Sequence, residues 1–257
     1  MELELQNRVA IVTGASKGIG RAIALTLAKE KMRLVLAARS EHLLKEVASA
    51  CGGECLVQSL DLREPDVPQR LIDAAVERFG TIDVLVNNAG ATQRGDFLKL
   101  TDDDWADGYA LKFFGAMRCS RAAWPHLVKS KGAIVNIIGV GGRSPGAEFA
   151  IGGSVNAALM NLTLSLADRG KTDGVRVNAI NPGAVATDRL QIRIRNFAAE
   201  HKVDETSAAA QLAKQMNIPR FGAPEEIATV VAFLASPRAS FTQGAIIDVD
   251  GGQTQTL

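Results

Sequence analysis

Short runs of consecutive apolar residues, rich in valine and isoleucine, recur along the chain, and between them lie longer segments whose apolar positions return every three or four residues. The short runs predict strands at Val9 to Thr13, Leu34 to Ala38, Cys55 to Leu60, Val84 to Asn87, Ala133 to Ile138, Val175 to Ile180 and Ala245 to Val249. Most are apolar at successive rather than alternate positions, the pattern of a strand covered on both faces. The longer segments predict helices over about Ile19 to Lys31, Glu41 to Ala50, Asp66 to Phe79, Asp102 to Lys129, Ser154 to Gly170 and Pro224 to Leu234. Thr101, followed three positions later by Asp104 and then by Trp105, marks the start of the longest of these. Strand and helix alternate throughout, which predicts an α/β fold: one doubly wound parallel sheet, Rossmann-like, with a strand for each run and helices on both faces.

No linker, repeat or break in composition divides the chain, so residues 1–257 read as a single domain. The stretch from Thr187 to Pro219, rich in Ala, Arg, Gln and Glu, is the least sheet-like. It follows the carboxyl end of a strand, where a helical excursion over 187–219 would serve as a substrate lid. A chain of 257 residues, 47% of them hydrophobic, can bury a full-sized core. The 29 Lys and Arg nearly balance the 28 Asp and Glu, and a net charge of +1 leaves no electrostatic footprint for nucleic acid or an anionic membrane. The apolar runs fall short of the roughly 20 residues of a membrane span. Met1 to Asn7 lacks the basic and apolar regions of a signal peptide, so the expectation is a soluble cytoplasmic protein. Cys51, Cys55 and Cys119 are too few and too unevenly placed for a disulfide framework or a zinc site, and read as structural thiols with no metal.

The segment Thr13-Gly14-Ala15-Ser16-Lys17-Gly18-Ile19-Gly20 closes the first strand and opens the first helix. Glycines there permit a tight turn and let the backbone approach a pyrophosphate, at which the helix N-terminus aims free N–H groups and a partial positive charge. This placement makes the turn a dinucleotide cradle rather than an ordinary loop.

Here the chain resembles the short-chain dehydrogenase/reductase family, and further matches follow in order along nearly its whole length. Asp61-Leu62 resembles the family's adenine-contacting pair, Asn87-Asn88-Ala89-Gly90 its signature after the fourth strand, Pro182-Gly183 with Thr187 the turn that holds the nicotinamide half, and Asp250-Gly251-Gly252 its closing segment. The resemblance implies cofactor contacts from Gly14, Ser16, Lys17, Gly18, Ile19, Gly20, Arg39, Asp61, Leu62, Asn88, Ala89, Gly90, Pro182, Gly183 and Thr187. An acidic residue ending the second strand would bind the ribose hydroxyls of NAD, whereas this chain has Ala38 and then Arg39. Lys17 and Arg39 are placed to converge on a 2′-phosphate, so NADP(H) is the expected cofactor.

The family's catalytic set is missing. The chain's one tyrosine, Tyr109, is followed four positions later by Phe113, so it holds no Tyr-x-x-x-Lys. Registered by Ile134-Val135-Asn136-Ile137 and Ala157-Ala158-Leu159, the family's Ser falls on Gly139, its Tyr on Gly152 and its Lys on Asn156; its Asn falls on Lys112. Loss of two side chains at Gly139 and Gly152 predicts either a widened pocket or exposed backbone N–H groups, and a shifted loop would bring Phe149 or Ser154 toward the Tyr position. Candidates for a replacement proton donor are Lys112, Tyr109, Glu148 and Ser154. Lys112 and Tyr109, three apart, either pair on one helix face or are an exposed lysine beside a packed tyrosine, and Glu148 is either a desolvated acid or a solvated loop residue. Two functions fit: an NADP(H)-dependent oxidoreductase on an unidentified carbonyl or alcohol, with a nonstandard proton donor, or an inactive nucleotide-binding sensor or oligomer partner. The resemblance also implies a homotetramer built on the two longest helices, with Leu159, Leu162, Leu164 and Leu166 available to the interface.

Overall fold

A computed structural model describes residues 2–255 as one seven-stranded, wholly parallel sheet. The strands are β1 (Val9–Thr13), β2 (Arg33–Ala38), β3 (Cys55–Ser59), β4 (Val84–Asn87), β5 (Ala133–Ile137), β6 (Arg176–Pro182) and β7 (Ile246–Val249), in the order β3-β2-β1-β4-β5-β6-β7. The order reverses between β1 and β4, and at such a switch point the carboxyl ends of the strands part to leave a crevice. Every residue of β1, β4 and β5 is buried. Alternate residues feed different cores: Ala10 and Val12 of β1 join Ile23, Leu27, Val231 and Leu234 on one face, while Val9 and Ile11 join Leu71, Ile72, Cys119 and Leu127 on the other. Two apolar faces per strand is why the runs in the sequence are continuous.

The first of these layers contains α1 (Gly18–Lys29) and α9 (Pro224–Ala235), the second α3 (Val67–Phe79) and α5 (Ala116–Ser130); α2 (Glu41–Cys51) covers β2 and β3. The single helix expected from Asp102 to Lys129 is interrupted. It consists of α4 (Asp102–Tyr109), a widened π-type turn over Ala110–Gly115, and α5. The predicted start is present, with Asp104 N–H donating to the Thr101 hydroxyl at 3.3 Å and Thr101 N–H donating to the Asp104 carboxylate at 2.9 Å. A π turn takes an extra residue and so rotates everything after it around the helix axis. Here it carries Lys112.

The sixth helix, α6 (Ala150–Asp173), begins four residues before the predicted Ser154, which therefore lies inside it rather than at its cap. A 3-10 turn over Ala147–Phe149 leads the chain in. α6 is long and apolar enough to cross a membrane by length and composition, but its inner face lies against the sheet, where Leu159 and Met160 pack with Ala179. β6 runs through Pro182, two residues past the predicted end, because Pro182 still registers with Val249 of β7. The excursion after Thr187 is a helical pair, α7 (Asp188–His201) and α8 (Glu205–Gln215), joined by its own small core of Leu190, Ile194, Ala198, Ala208 and Leu212.

A buried polar chain ties the centre of the sheet to α6. Asn87 Nδ2 donates to Asn136 Oδ1 at 2.9 Å and to Ser120 Oγ at 3.0 Å; Asn136 Nδ2 donates to Thr163 Oγ1 at 2.9 Å. Asn87 thus binds β5 and α5, while Asn88 ties the loop after β1. Removing the middle of such a chain strands groups that water cannot reach. Asn136→Ala is expected to cost about 1–3 kcal/mol of unfolding free energy, read from urea denaturation, whereas the outward-facing Gln69→Ala should stay within about 0.5 kcal/mol.

Candidate active site

The turn after β1 is shaped by close approach. Gly14 and Gly18 hold positive φ of 67° and 52°, and a Cβ on Gly20 would overlap the Gly14 carbonyl and lie 2.5 Å from Asn88 Nδ2. The Asn88 carboxamide donates to Thr13 O at 2.9 Å and to Gly14 O at 3.2 Å, and the Thr13 hydroxyl accepts from the amides of Asn88 (2.9 Å) and Ala89 (3.0 Å). The β1 and β4 ends are thus locked together. Arg21 N–H donates to Lys17 O at 3.2 Å and begins the α1 ladder, while Gly14 and Ala15 N–H donate to Ala37 O at 2.7 and 3.2 Å; the amides of Gly18, Ile19 and Gly20 precede the ladder, as donors available to an anion at a helix N-terminus do. Thr187, at the start of α7, comes within 3.2 Å of where a Gly18 Cβ would stand. Beside the turn, Ser16, Lys17, Arg21, Val47 and Thr187 line a cleft of about 430 Å3.

The adenosine side carries the expected cations. Lys17 is exposed, and the Arg39 side chain, 70% exposed, lies 4.0 Å from Asp61. Asp61 accepts from the Arg63 amide at 3.0 Å, which turns the chain so that Leu62 is buried. Gly183 is pressed against Asp250, whose Cα would stand 2.8 Å from a Cβ at that position, and Pro182 is buried at the end of β6. A pyrophosphate cradle, two cations beyond it and glycines at Gly90 and Gly183 on the far side fit a phosphorylated dinucleotide.

At the family's catalytic positions the structure departs from a widened pocket. A side chain on Gly152 would run into the ring of Phe149, and one on Gly141 would meet the same ring at 2.7 Å. The Phe149 ring, from the turn before α6, therefore fills the space beside Gly152 and Gly141, and the expected extra volume is not there. Gly139 sits at φ 133°, a conformation side chains resist, so a Ser would be strained. Asn156 is buried, donates to Gly139 O at 3.3 Å and leaves its Oδ1 with no partner among the described residues.

Of the four proton-donor candidates, one is set deep in the site. The Lys112 stem passes over Gly90, where a Cβ would stand 3.0 Å from Lys112 Cδ, and its ammonium donates to Ile138 O at the end of β5. Burial, helped by the positive charge of Arg189, lowers the Lys112 pKa to about 7. Tyr109 packs edge-on against Phe113 at 6.0 Å between ring centroids, and no hydrogen bond joins its hydroxyl to Lys112 among the described residues. Glu148 is an exposed loop residue whose carbonyl accepts from Gly95 N–H at 3.1 Å. Ser154 lies half-buried in the second turn of α6. Sequence reasoning missed Arg189, which donates to Gly90 O at 3.1 Å, and Arg94, stacked 4.2 Å over the Phe149 ring. Arg189 is 99 residues from its partner, and the only signal for either arginine was its place in a loop or lid near the cleft.

Comparison with known proteins agrees with this geometry. The family model described as Enoyl-(Acyl carrier protein) reductase matches residues 14–254. Meso-2,3-butanediol dehydrogenase of Serratia marcescens is 34% identical over 98% of this chain and 96% of its own length. The L-sorbose reductase of Gluconobacter frateurii, solved with NADPH and L-sorbose, superposes with a TM-score of 0.96 at 31% identity over 100% of both chains. A short-chain oxidoreductase from Pseudomonas aeruginosa PAO1, described as containing an atypical catalytic centre, superposes with a TM-score of 0.90 at 31% identity over 97% of this chain and 98% of its own.

The filled tyrosine position makes a direct test. Gly152→Tyr is expected to destabilise the fold by about 1–3 kcal/mol through overpacking against Phe149, and adding Phe149→Ala should recover most of that loss in thermal or urea unfolding.

Proposed function

Since the chain belongs to the short-chain dehydrogenase/reductase family, we propose that it is an NADP(H)-dependent oxidoreductase that interconverts a small-molecule carbonyl and its alcohol, with Lys112 in the proton-transferring role. The observation that carries this reading is the position of Lys112, held between Gly90 and Ile138 O with its pKa lowered to about 7. NADP(H), when bound, supplies or accepts the hydride. The rest of the reaction falls to side chains. In reduction the ammonium of Lys112 gives its proton to the oxygen that gains negative charge, and in oxidation the neutral amine takes the proton back. A group whose pKa sits near neutrality exchanges a proton in both directions at little cost. Tyr109, Glu148 and Ser154 lack that placement and are not assigned a catalytic part.

Cofactor choice rests on Ala38 and Arg39 at the end of β2 and on Lys17 across the cleft, with the NADPH bound by the L-sorbose reductase as support from a relative. The Asn156 carboxamide, with its unpartnered Oδ1, stands where the family places its lysine and offers an acceptor to a cofactor hydroxyl. Half-exposed apolar residues on the two longest helical segments, Phe114 and Val128 beside or on α5 and Leu164 on α6, support a homotetramer. Leu159 is core, and Leu162 and Leu166 are partly so, which leaves Leu164 of the expected set for an interface. A soluble, cytoplasmic setting suits a chain with a near-neutral charge balance. The filled Tyr position is the observation that favours the second reading, a nucleotide-binding protein without turnover.

Lys112→Met separates the two. Against a carbonyl panel with NADPH, kcat is expected to fall about 100-fold or more, with the NADPH dissociation constant unchanged within about twofold; equal turnover in variant and wild type would remove Lys112 from the mechanism. Reduction needs the protonated amine, so its rate should fall as pH rises through about 7, and oxidation should rise over the same range. A pH-rate profile in each direction checks the sign. Lys17→Ala with Arg39→Ala should weaken NADPH binding about tenfold or more and leave NADH binding little changed, as measured by fluorescence titration.

A further inference from the structure

Three arginines from two separate segments gather near Lys112 and Gly90. Arg94, in the loop after β4, lies with its guanidinium 4.2 Å from the centre of the Phe149 ring. Arg189 and Arg193 stand one turn apart on α7 and share a face, while Leu190 and Ile194 turn into the core of the lid. Arg189 reaches across to Gly90 O at 3.1 Å, which puts this face of the lid beside the Lys112 stem.

The charges are close enough to act on one another. Burial against Phe149 and the neighbouring charges of Arg193 and Arg189 hold the Arg94 pKa below the usual arginine range, with Glu148 acting the other way. Among the described residues none of these arginines has a carboxylate within ion-pair distance, although Arg63, Arg143, Arg195 and Arg220 each do. All three remain solvent-accessible. Like charges held together by packing repel at a cost that an anionic group between them would offset. Guanidinium forks suit an oxyanion, and the stack on Phe149 fixes the plane of one of them.

We propose that Arg94, Arg189 and Arg193 hold an anionic oxygen group, a carboxylate or a phosphate, of the same small molecule whose carbonyl meets Lys112. This rests on the oxidoreductase reading and names its substrate class: carboxylated or phosphorylated carbonyl compounds and their alcohols. The lid then closes by charge, because two of the three cations ride on α7 and are drawn toward Arg94 when the anion lies between them. A neutral carbonyl compound makes no such bridge.

Calorimetry on protein saturated with NADP+, so that the cofactor's own phosphate contacts are satisfied, tests the site with malonate, inorganic phosphate and, as a neutral probe, glycerol. Malonate or phosphate is expected to bind in the millimolar range or tighter, and more weakly as salt is raised. The better of the two sets the class. Arg94→Gln combined with Arg193→Gln should weaken that binding at least tenfold, while Arg94→Lys, which keeps the charge and loses the flat stack, should weaken it less; NADP+ affinity reports that each variant is folded. Anion binding equal in the double variant and the wild type, or no better than glycerol, overturns the site. Anion binding lost in the double variant but no turnover of any carbonyl compound would sink the oxidoreductase reading and leave the anion site standing. Turnover of neutral carbonyl compounds with no anion binding would do the reverse.

Discussion

A half-buried lysine ammonium at the end of a parallel strand is the constraint on which the site depends. Lys112 has Ile138 O as its hydrogen-bond partner and Arg189 as a nearby like charge, and neither compensates it as a carboxylate would. Such a group stays where it is only if the surrounding structure leaves it no alternative. Gly90 provides the bare backbone over which the stem passes, and the π-type turn over Ala110–Gly115 sets the helix rotation that aims it inward. Buried Asn87, Asn136 and Thr163 fix the ends of β4 and β5 on which both depend. The depressed pKa is the electrostatic consequence of that packing.

The same crowding leaves no hole beside the glycines at the start of α6. Phe149 takes the space at Gly152 and also covers Gly141, so the apolar wall of the pocket is kept while its hydroxyl groups are not. Polarity moves elsewhere, to Lys112 on one side and to the arginines on the other. The cradle after β1 is untouched by this exchange, since Asn88, Thr13 and the three glycines bind one another rather than anything near Gly152. The cradle and the surroundings of Lys112 are thus separable parts of one crevice.

The fold was legible because strands buried on both faces leave continuous apolar runs, and each predicted run is a strand, shifted at the ends by a residue or two. The cradle was legible because its glycines are adjacent in sequence. What stayed hidden depends on distant residues or on a small change of helical pitch. Ala110 to Gly115 runs from good helix formers to two phenylalanines and a glycine, which weakens a helix without specifying a π turn. The length of β6 depends on its pairing with β7, and the early start of α6 on a 3-10 turn that the sequence pattern does not distinguish from loop. Phe149 and Ser154 were both named from the sequence as able to approach the space beside Gly152, and it is the 3-10 turn before α6 that makes Phe149 the one whose ring fills it. Arg189 acts on residues far from it in sequence, and no local spacing brings it to Gly90.

The proton-transfer role proposed for Lys112 turns on the protonation state of its amine, which can be read without knowing the substrate. In protein labelled with 13C at the lysine ε-carbon, followed by NMR from pH 5 to 11, the account predicts a single resonance, absent from Lys112→Met, that titrates at about 7. If the resonance removed by that substitution titrates instead near 10.4 with ordinary exposed lysines, Lys112 is solvated and the proton-transfer role assigned to it is wrong.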